Sequence, residues 1–196
     1  MLNLTLPKTI EIDGEEFDIR YDFRVIIEIL IMLTDPSLSN DDKAEALITM
    51  FYLEPERIRN TKAAVDAAYR FIDANSDRKP QKGERLTDWE QDFDYIVSPI
   101  NRILGYECRS VDYDVDRNTG GVHWWTFMAA YMEIGGDCLF AQIVSIRDKL
   151  ARKKKLEKYE REWLRRNADL VNIKTKYTSK EDEILSAWTK GAKDNG

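Results

Sequence analysis

The chain carries one histidine, His123, and this limits the chemistry it can do. A lone imidazole cannot supply the His pair of an HExxH zinc centre or of any other two-histidine site. No GxxxxGK[ST], GxSxG or GxGxxG occurs either, which removes the common phosphate loops and the nucleophile elbow. Cys108 and Cys138 have no CxxC or zinc-ligand spacing. A thiol–imidazole pair with His123 stays formally open, because such pairs are set in space, but no spacing supports one. Asp112-Tyr113-Asp114-Val115-Asp116 opens like a calcium loop. The next residue is Arg117 where the loop needs Gly, and the twelfth is His123 where it needs a bidentate Glu. The segment reads better as extended chain or a short edge strand, with Val111, Tyr113 and Val115 alternating with acids. The acid pairs Glu15-Glu16 and Asp41-Asp42 read as carboxylates at a turn and a helix start. His123 reads as a structural or capping residue. No catalytic, cofactor-binding or metal-binding residue is expected, and no enzyme.

The remaining unusual residues point to binding. Residues 147–166 hold ten Lys and Arg against four acids, a local +6 in a chain of net −6. That asymmetry suits an acidic partner, self-association, or simply a solvated helix face. Trp124 and Trp125 are adjacent on a helical pattern, so they point about 100° apart. Trp124 falls in phase with Phe127 and Met128 and is expected in the core, with Leu139, Ile143 and Ile146 as partners. Trp125 is left for an interface. The candidate partner-binding set is Trp125, Arg152, Lys153, Lys154, Lys155, Lys158, Arg161 and Arg165.

The elements that must position these residues are mostly helical. Gly and Pro are scarce, at 9 and 5, which argues against a turn-rich β-sandwich. Residues 9–19 alternate around Asp13-Gly14 and predict a β-hairpin. Asp22 caps a nearly all-apolar helix over residues 23–34, which should be central. A second helix starts at residues 39–42 and runs to about Tyr52. A third starts at Asn60 or Thr61, with Ala64, Val65, Ala68, Tyr69 and Ile72 inward. Residues 75–86 are polar and predict a mobile loop. Thr87 and Glu90 form a capping box for a helix that Pro99 should kink or split and Gly105 should close. A helix from Val122 is followed by the Gly135-Gly136-Asp137 break. Asp137 then caps a helix with Leu139, Ile143, Ile146 and Leu150 inward. Thr178 and Glu181 suit the start of a short terminal helix bearing Ile184, Leu185 and Trp188. The fold class is mainly α: a compact multi-helix domain over residues 1–173 with a small N-terminal β-hairpin and a charged C-terminal helix, then a polar tail over 174–196. No signal peptide is read at the N-terminus, and the longest apolar run is too short to span a bilayer.

The run His123-Trp124-Trp125-Thr126-Phe127, the Gly-Gly-Asp break, and Ile143-Val144-Ser145-Ile146-Arg147 together resemble the bacteriophage gene product 15 family. The similarity continues through Lys153 to Asn167, around a Lys-Leu-x-Lys-x-Glu centre, and upstream to Asp22-Phe23-Arg24 and the helix from Trp89. It covers most of residues 10–173. The resemblance implies an α-helical protein of the tail module of tailed phages and prophages. It implies a role in tail assembly, in the manner of a chaperone for the tape measure protein, with no enzyme activity or cofactor.

Three readings follow. The first is a non-catalytic assembly protein that covers apolar stripes of a helical tape measure protein, its basic face orienting an acidic partner. The second is a nucleic-acid-binding protein using residues 147–166, opposed by a pI near 5.0. The third is a structural component of the finished tail. The expected partners are the tape measure protein and other tail proteins, with a homo-oligomer open, nucleic acid disfavoured and no membrane. The expected location is the cytoplasm of the bacterial host, with both cysteines reduced.

Overall fold

The computed structural model describes residues 5–74 and 85–174. Strand β1 (Thr9–Ile12) pairs antiparallel with β2 (Glu15–Asp18), Ile12 opposite Glu15. Asp13 and Gly14 both take positive φ, 52° and 84°, the backbone a two-residue primed turn requires. Beyond β2 the chain bridges from Ile19 to Tyr52. There Arg20 donates to the carbonyls of Thr49, Met50 and Tyr52. These are the unpaired carbonyls at the end of helix α2 (Asn40–Phe51).

Helix α1 (Phe23–Leu33) buries Phe23, Val25, Ile26, Ile27 and Ile29, and packs against α2 and two later helices, α4 (Trp89–Leu104) and α5 (Trp124–Met132). Its apolar girdle puts it at the centre, as expected. Helix α2 carries a Ser39–Asp42 capping box. Helix α3 (Thr61–Ile72) is capped by Asn60 and packs on α2 and β1. Its buried face is Ala64, Ala67, Ala68, Phe71 and Ile72, whereas Tyr69 is 42% exposed. The expected face was rotated, because two neighbours, not one, choose which side α3 buries.

Helix α4 (Trp89–Leu104) differs from expectation at both its start and its middle. Its N-cap is Asp88, which accepts from the N–H groups of Glu90 and Gln91, and Thr87 stands one residue outside. Pro99 neither ends nor splits it. The ring loses one bond to Tyr95, but Ile96, Val97, Pro99 and Ile100 are all buried, so packing on both sides of the ring holds the helix together. Gly105, at φ 79°, closes it in the left-handed conformation. The Asp112–Asp116 stretch forms a small hairpin, β3 (Tyr113–Asp114) with β4 (Thr119–Gly120).

Helix α5 (Trp124–Met132) leads to the Gly135-Gly136 break and helix α6 (Leu139–Ala151). The cap of α6 is the thiol of Cys138, accepting from Ala141, and not Asp137. Asp137 turns instead to Arg102 of α4 at 3.4 Å. The buried face of α6 is Phe140, Ile143, Ile146 and Arg147, with Leu139 and Leu150 41% and 43% exposed. The expected charged C-terminal helix is present as a helix of nine residues. Helix α7 (Lys158–Arg166) is separated from α6 by residues 152–157 and followed by α8 (Ala168–Val171). Lys153 takes φ 53°, Lys153 N–H returns to Leu150 O and Lys154 N–H to Lys149 O. This is a Schellman stop with Lys where Gly is usual.

Two apolar clusters result. The larger joins the hairpin, α1 to α5 and the start of α6. The smaller is Ile146, Leu156 and Val171, flanked by Trp163 and Leu164. The mobile-loop expectation falls almost wholly, and the terminal-helix expectation wholly, outside the described residues. No described helix is long and apolar enough to cross a membrane.

Candidate partner-binding surface

The tryptophan pair is set by a junction between the starts of α1 and α5. Asp22 and His123 bridge antiparallel: Phe23 N–H donates to Val122 O, and Trp124 N–H to Tyr21 O. The fully buried Asp22 carboxylate caps α1 through Arg24 N–H, and accepts from the Arg24 guanidinium at 2.7 Å and Val122 N–H at 2.8 Å. A Cβ on Gly121, at φ 72°, would lie 2.1 Å from its Oδ2, so only glycine fits. His123 caps α5 with Nδ1, which accepts from Trp125 N–H at 3.1 Å. Its Nε2 lies 2.8 Å from the Pro7 carbonyl and must donate there, so the ring is the neutral Nε2–H tautomer. Burial lowers the His123 pKa, against the opposing pull of the Pro7 bond. The capping role expected for this histidine is what the geometry shows.

From this junction Trp124 enters the core at 1% exposure, stacked on Phe127, with its indole N–H on Ile72 O. Trp125 is half-buried. Its indole N–H donates to Phe71 O at 2.8 Å and its ring lies against Phe71. It lines a shallow cleft of about 270 Å³ with Ile10 of β1 and Ala67 and Arg70 of α3. Packing thus accounts for one edge of Trp125, which sequence reasoning assigned wholly to an interface, and leaves the other edge on this cleft.

The basic residues lie elsewhere, at the α6–α7 turn. Arg152, Lys153, Lys154, Lys155, Lys158, Arg161 and Arg165 are all exposed. Arg152 is paired with Asp148 one turn earlier at 2.7 Å, and Arg161 folds back to Leu156 O at 2.6 Å. Among the described residues, no carboxylate forms an ion pair with Lys153, Lys154, Lys155, Lys158 or Arg165. Trp125 thus faces β1 and α3, whereas the basic residues lie on the α6–α7 turn and on α7.

A groove of about 560 Å³ lies between α6 and α7, and no Lys or Arg lines it. One wall is Asp137, Cys138, Leu139, Gln142, Ser145 and Ile146, and the other is Tyr159 and Glu160, so the groove carries two carboxylates. Tyr159 is 65% exposed, the most open large apolar side chain among the described residues. Lys149 of α6 pairs with Glu160 of α7 at 2.5 Å. That contact raises the Lys149 pKa, and with the Glu157 N–H it lowers that of Glu160. The two helices are therefore clamped while the groove between them stays open.

Arg147, counted in the basic segment, is not on this face. It is 5% exposed and forms a two-bond ion pair with the fully buried Asp92, at 2.6 and 3.0 Å. Its other N–H groups donate to the carbonyls of Leu86, Leu170 and Val171 at 2.9, 2.8 and 2.7 Å. Asp92 also accepts from Asp88 N–H at 2.8 Å. This node ties the starts of α4 and the end of α8 to the middle of α6, and so fixes where the basic turn projects. The only sequence signal for it was Arg147 sitting in phase with Ile143 and Ile146, on the apolar side of its helix.

Residues 2–173 match the family model described as Bacteriophage Gp15 protein. No curated protein matches the chain, and no solved structure does.

Proposed function

The chain belongs to the bacteriophage Gp15 family, and on that premise we propose that it is a non-catalytic tail assembly protein, a chaperone that binds the tape measure protein during tail morphogenesis. The observation that carries this reading is the run of exposed lysines without an acidic partner at the α6–α7 turn, on the two helices that also expose Leu139 and Tyr159. Lys153, Lys154, Lys155 and Lys158 form no ion pair among the described residues, and Leu139 on α6 and Tyr159 on α7 are 41% and 65% exposed. A helix with an apolar stripe and flanking acids is the ligand this arrangement suits. The lysines steer and orient it, while buried apolar area supplies most of the affinity.

Co-expression with the tape measure protein of the same phage tests the proposal. A soluble complex is expected to co-purify, and K153E/K154E/K155E is expected to weaken it in a salt-dependent way. No complex and no gain in tape measure solubility would remove the reading. The same lysines could serve phosphates, so labelled DNA is the control. A mobility shift that weakens steeply with salt would favour nucleic acid instead. Recovery of the chain in purified virions would mark it as a tail component.

A further inference from the structure

We propose that the free edge of β1 pairs with the same edge of a second copy, joining the two hairpins into one continuous antiparallel sheet. The two edges of the hairpin differ. That of β2 is closed: Leu53 N–H donates to Asp18 O at 3.1 Å, and Ile19 bridges to Tyr52. On β1, Lys8 O accepts from Ile19 N–H, so by alternation Ile10 and Ile12 also bond towards β2, opposite Phe17 and Glu15. The main-chain groups of Thr9 and Glu11 therefore face outward, and no described residue bonds them. Pro7 limits the edge, since it has no N–H and His123 holds its carbonyl. An open edge of this kind accepts extended chain.

Self-complementarity selects a second copy as that chain. A twofold axis at Ile10 sets Thr9 against the partner's Glu11, each offering one donor and one acceptor, and the symmetry repeats the pair. Ile10 then meets the partner's Ile10 beside Trp125, which lines the same cleft of about 270 Å³. The charges match in the same way. Arg70 and Glu11 both line that cleft, and neither forms an ion pair among the described residues. Glu11 also stands directly across from Glu16, a like-charge pair that a cation from outside relieves. With Glu11 of one copy opposite Thr9 of the other, each carboxylate reaches the cleft where the other copy's Arg70 stands.

The test uses the full chain alone. Sedimentation from micromolar to millimolar concentration is expected to show the mass rise from the 22.9 kDa of one chain towards twice that value. Amide exchange at Thr9 and Glu11 should slow as the concentration rises. R70E and E11R, each counted twice by the symmetry, should weaken dimerisation by about tenfold, and E11R/R70E should restore it. E11R removes the repulsion between Glu11 and Glu16, so its weaker dimer cannot come from a weaker hairpin. T9P removes an outward donor and no main-chain bond to β2, and should abolish the pairing. Thermal melting followed by circular dichroism reports that each variant is folded. A monomer at every concentration would leave the edge to a different chain and overturn the proposal. So would a dimer indifferent to T9P, or one that E11R/R70E restores no better than either single change. None of these outcomes depends on tape measure binding, so this proposal and the chaperone reading can fail separately.

Discussion

Replacing Arg147 with methionine should be among the most damaging single changes in this chain. The side chain is 5% exposed and donates five hydrogen bonds, two to Asp92 and three to backbone carbonyls. Methionine fills similar volume and keeps the apolar contact, so the loss is electrostatic. Asp92, fully buried, would keep only the Asp88 N–H as a partner. Breaking a buried pair by removing one partner costs about 3–5 kcal/mol, because an uncompensated charge remains. At ~2–4 °C per kcal/mol for a chain of this size, the melting temperature should fall by roughly 6–20 °C. Urea unfolding followed by circular dichroism measures the cost, and hydrogen exchange should show α8 opening first. D92A and D92A/R147M complete a cycle. The double variant should cost less than the sum of the singles by about 2–3 kcal/mol, the upper range for residues in one network. Additivity, or a cost for R147M below about 1 kcal/mol as for an exposed pair, would refute a buried ion pair at this node.

Three further outcomes are expected. G121A puts a Cβ 2.1 Å from Asp22 Oδ2 at φ 72°, and should destabilise by more than the ~1–2 kcal/mol of left-handed backbone strain alone, measured by the same unfolding assay. His123 has its pKa lowered in the folded state, so the neutral ring is the stabilising form. Its contribution should be complete above the ordinary value near ~6.5 and be lost as pH falls through the lower folded value. An NMR titration midpoint above the ordinary value would contradict this, and H123Q should remove its share of the pH slope. C138S keeps a cap on α6 and should leave stability within about 0.5 kcal/mol, whereas C138A should cost about 0.5–1 kcal/mol. Equal stability of the two would show that the thiol bond to Ala141 contributes nothing.

Most of the elements were legible in the residues, and the reason is local. The Asp13-Gly14 turn, the Asp22, Ser39 and Asn60 caps and the Gly105 stop each involve groups within a few positions of one another. The central place of α1 followed from its all-round apolar surface. Trp124 and Phe127 were legible as core from helical phase. Where two adjacent residues could both cap, as with Thr87 and Asp88 or Asp137 and Cys138, local pattern could not choose. Geometry chose, because Asp88 N–H meets Asp92 and Asp137 is drawn to Arg102.

The candidate site divides in the same way. The sequence by itself determined that the basic residues concentrate in residues 147–166 and that Trp125 leaves the core direction of Trp124. Folding settled that Arg147 is buried and that the basic stretch breaks at Lys153. The partners of Arg147 come from 55 and 61 residues upstream and from 23 and 24 downstream. A guanidinium reads the same in sequence whether solvated or enclosed. Only the carbonyls and the carboxylate brought to it by folding make the enclosed state the stable one.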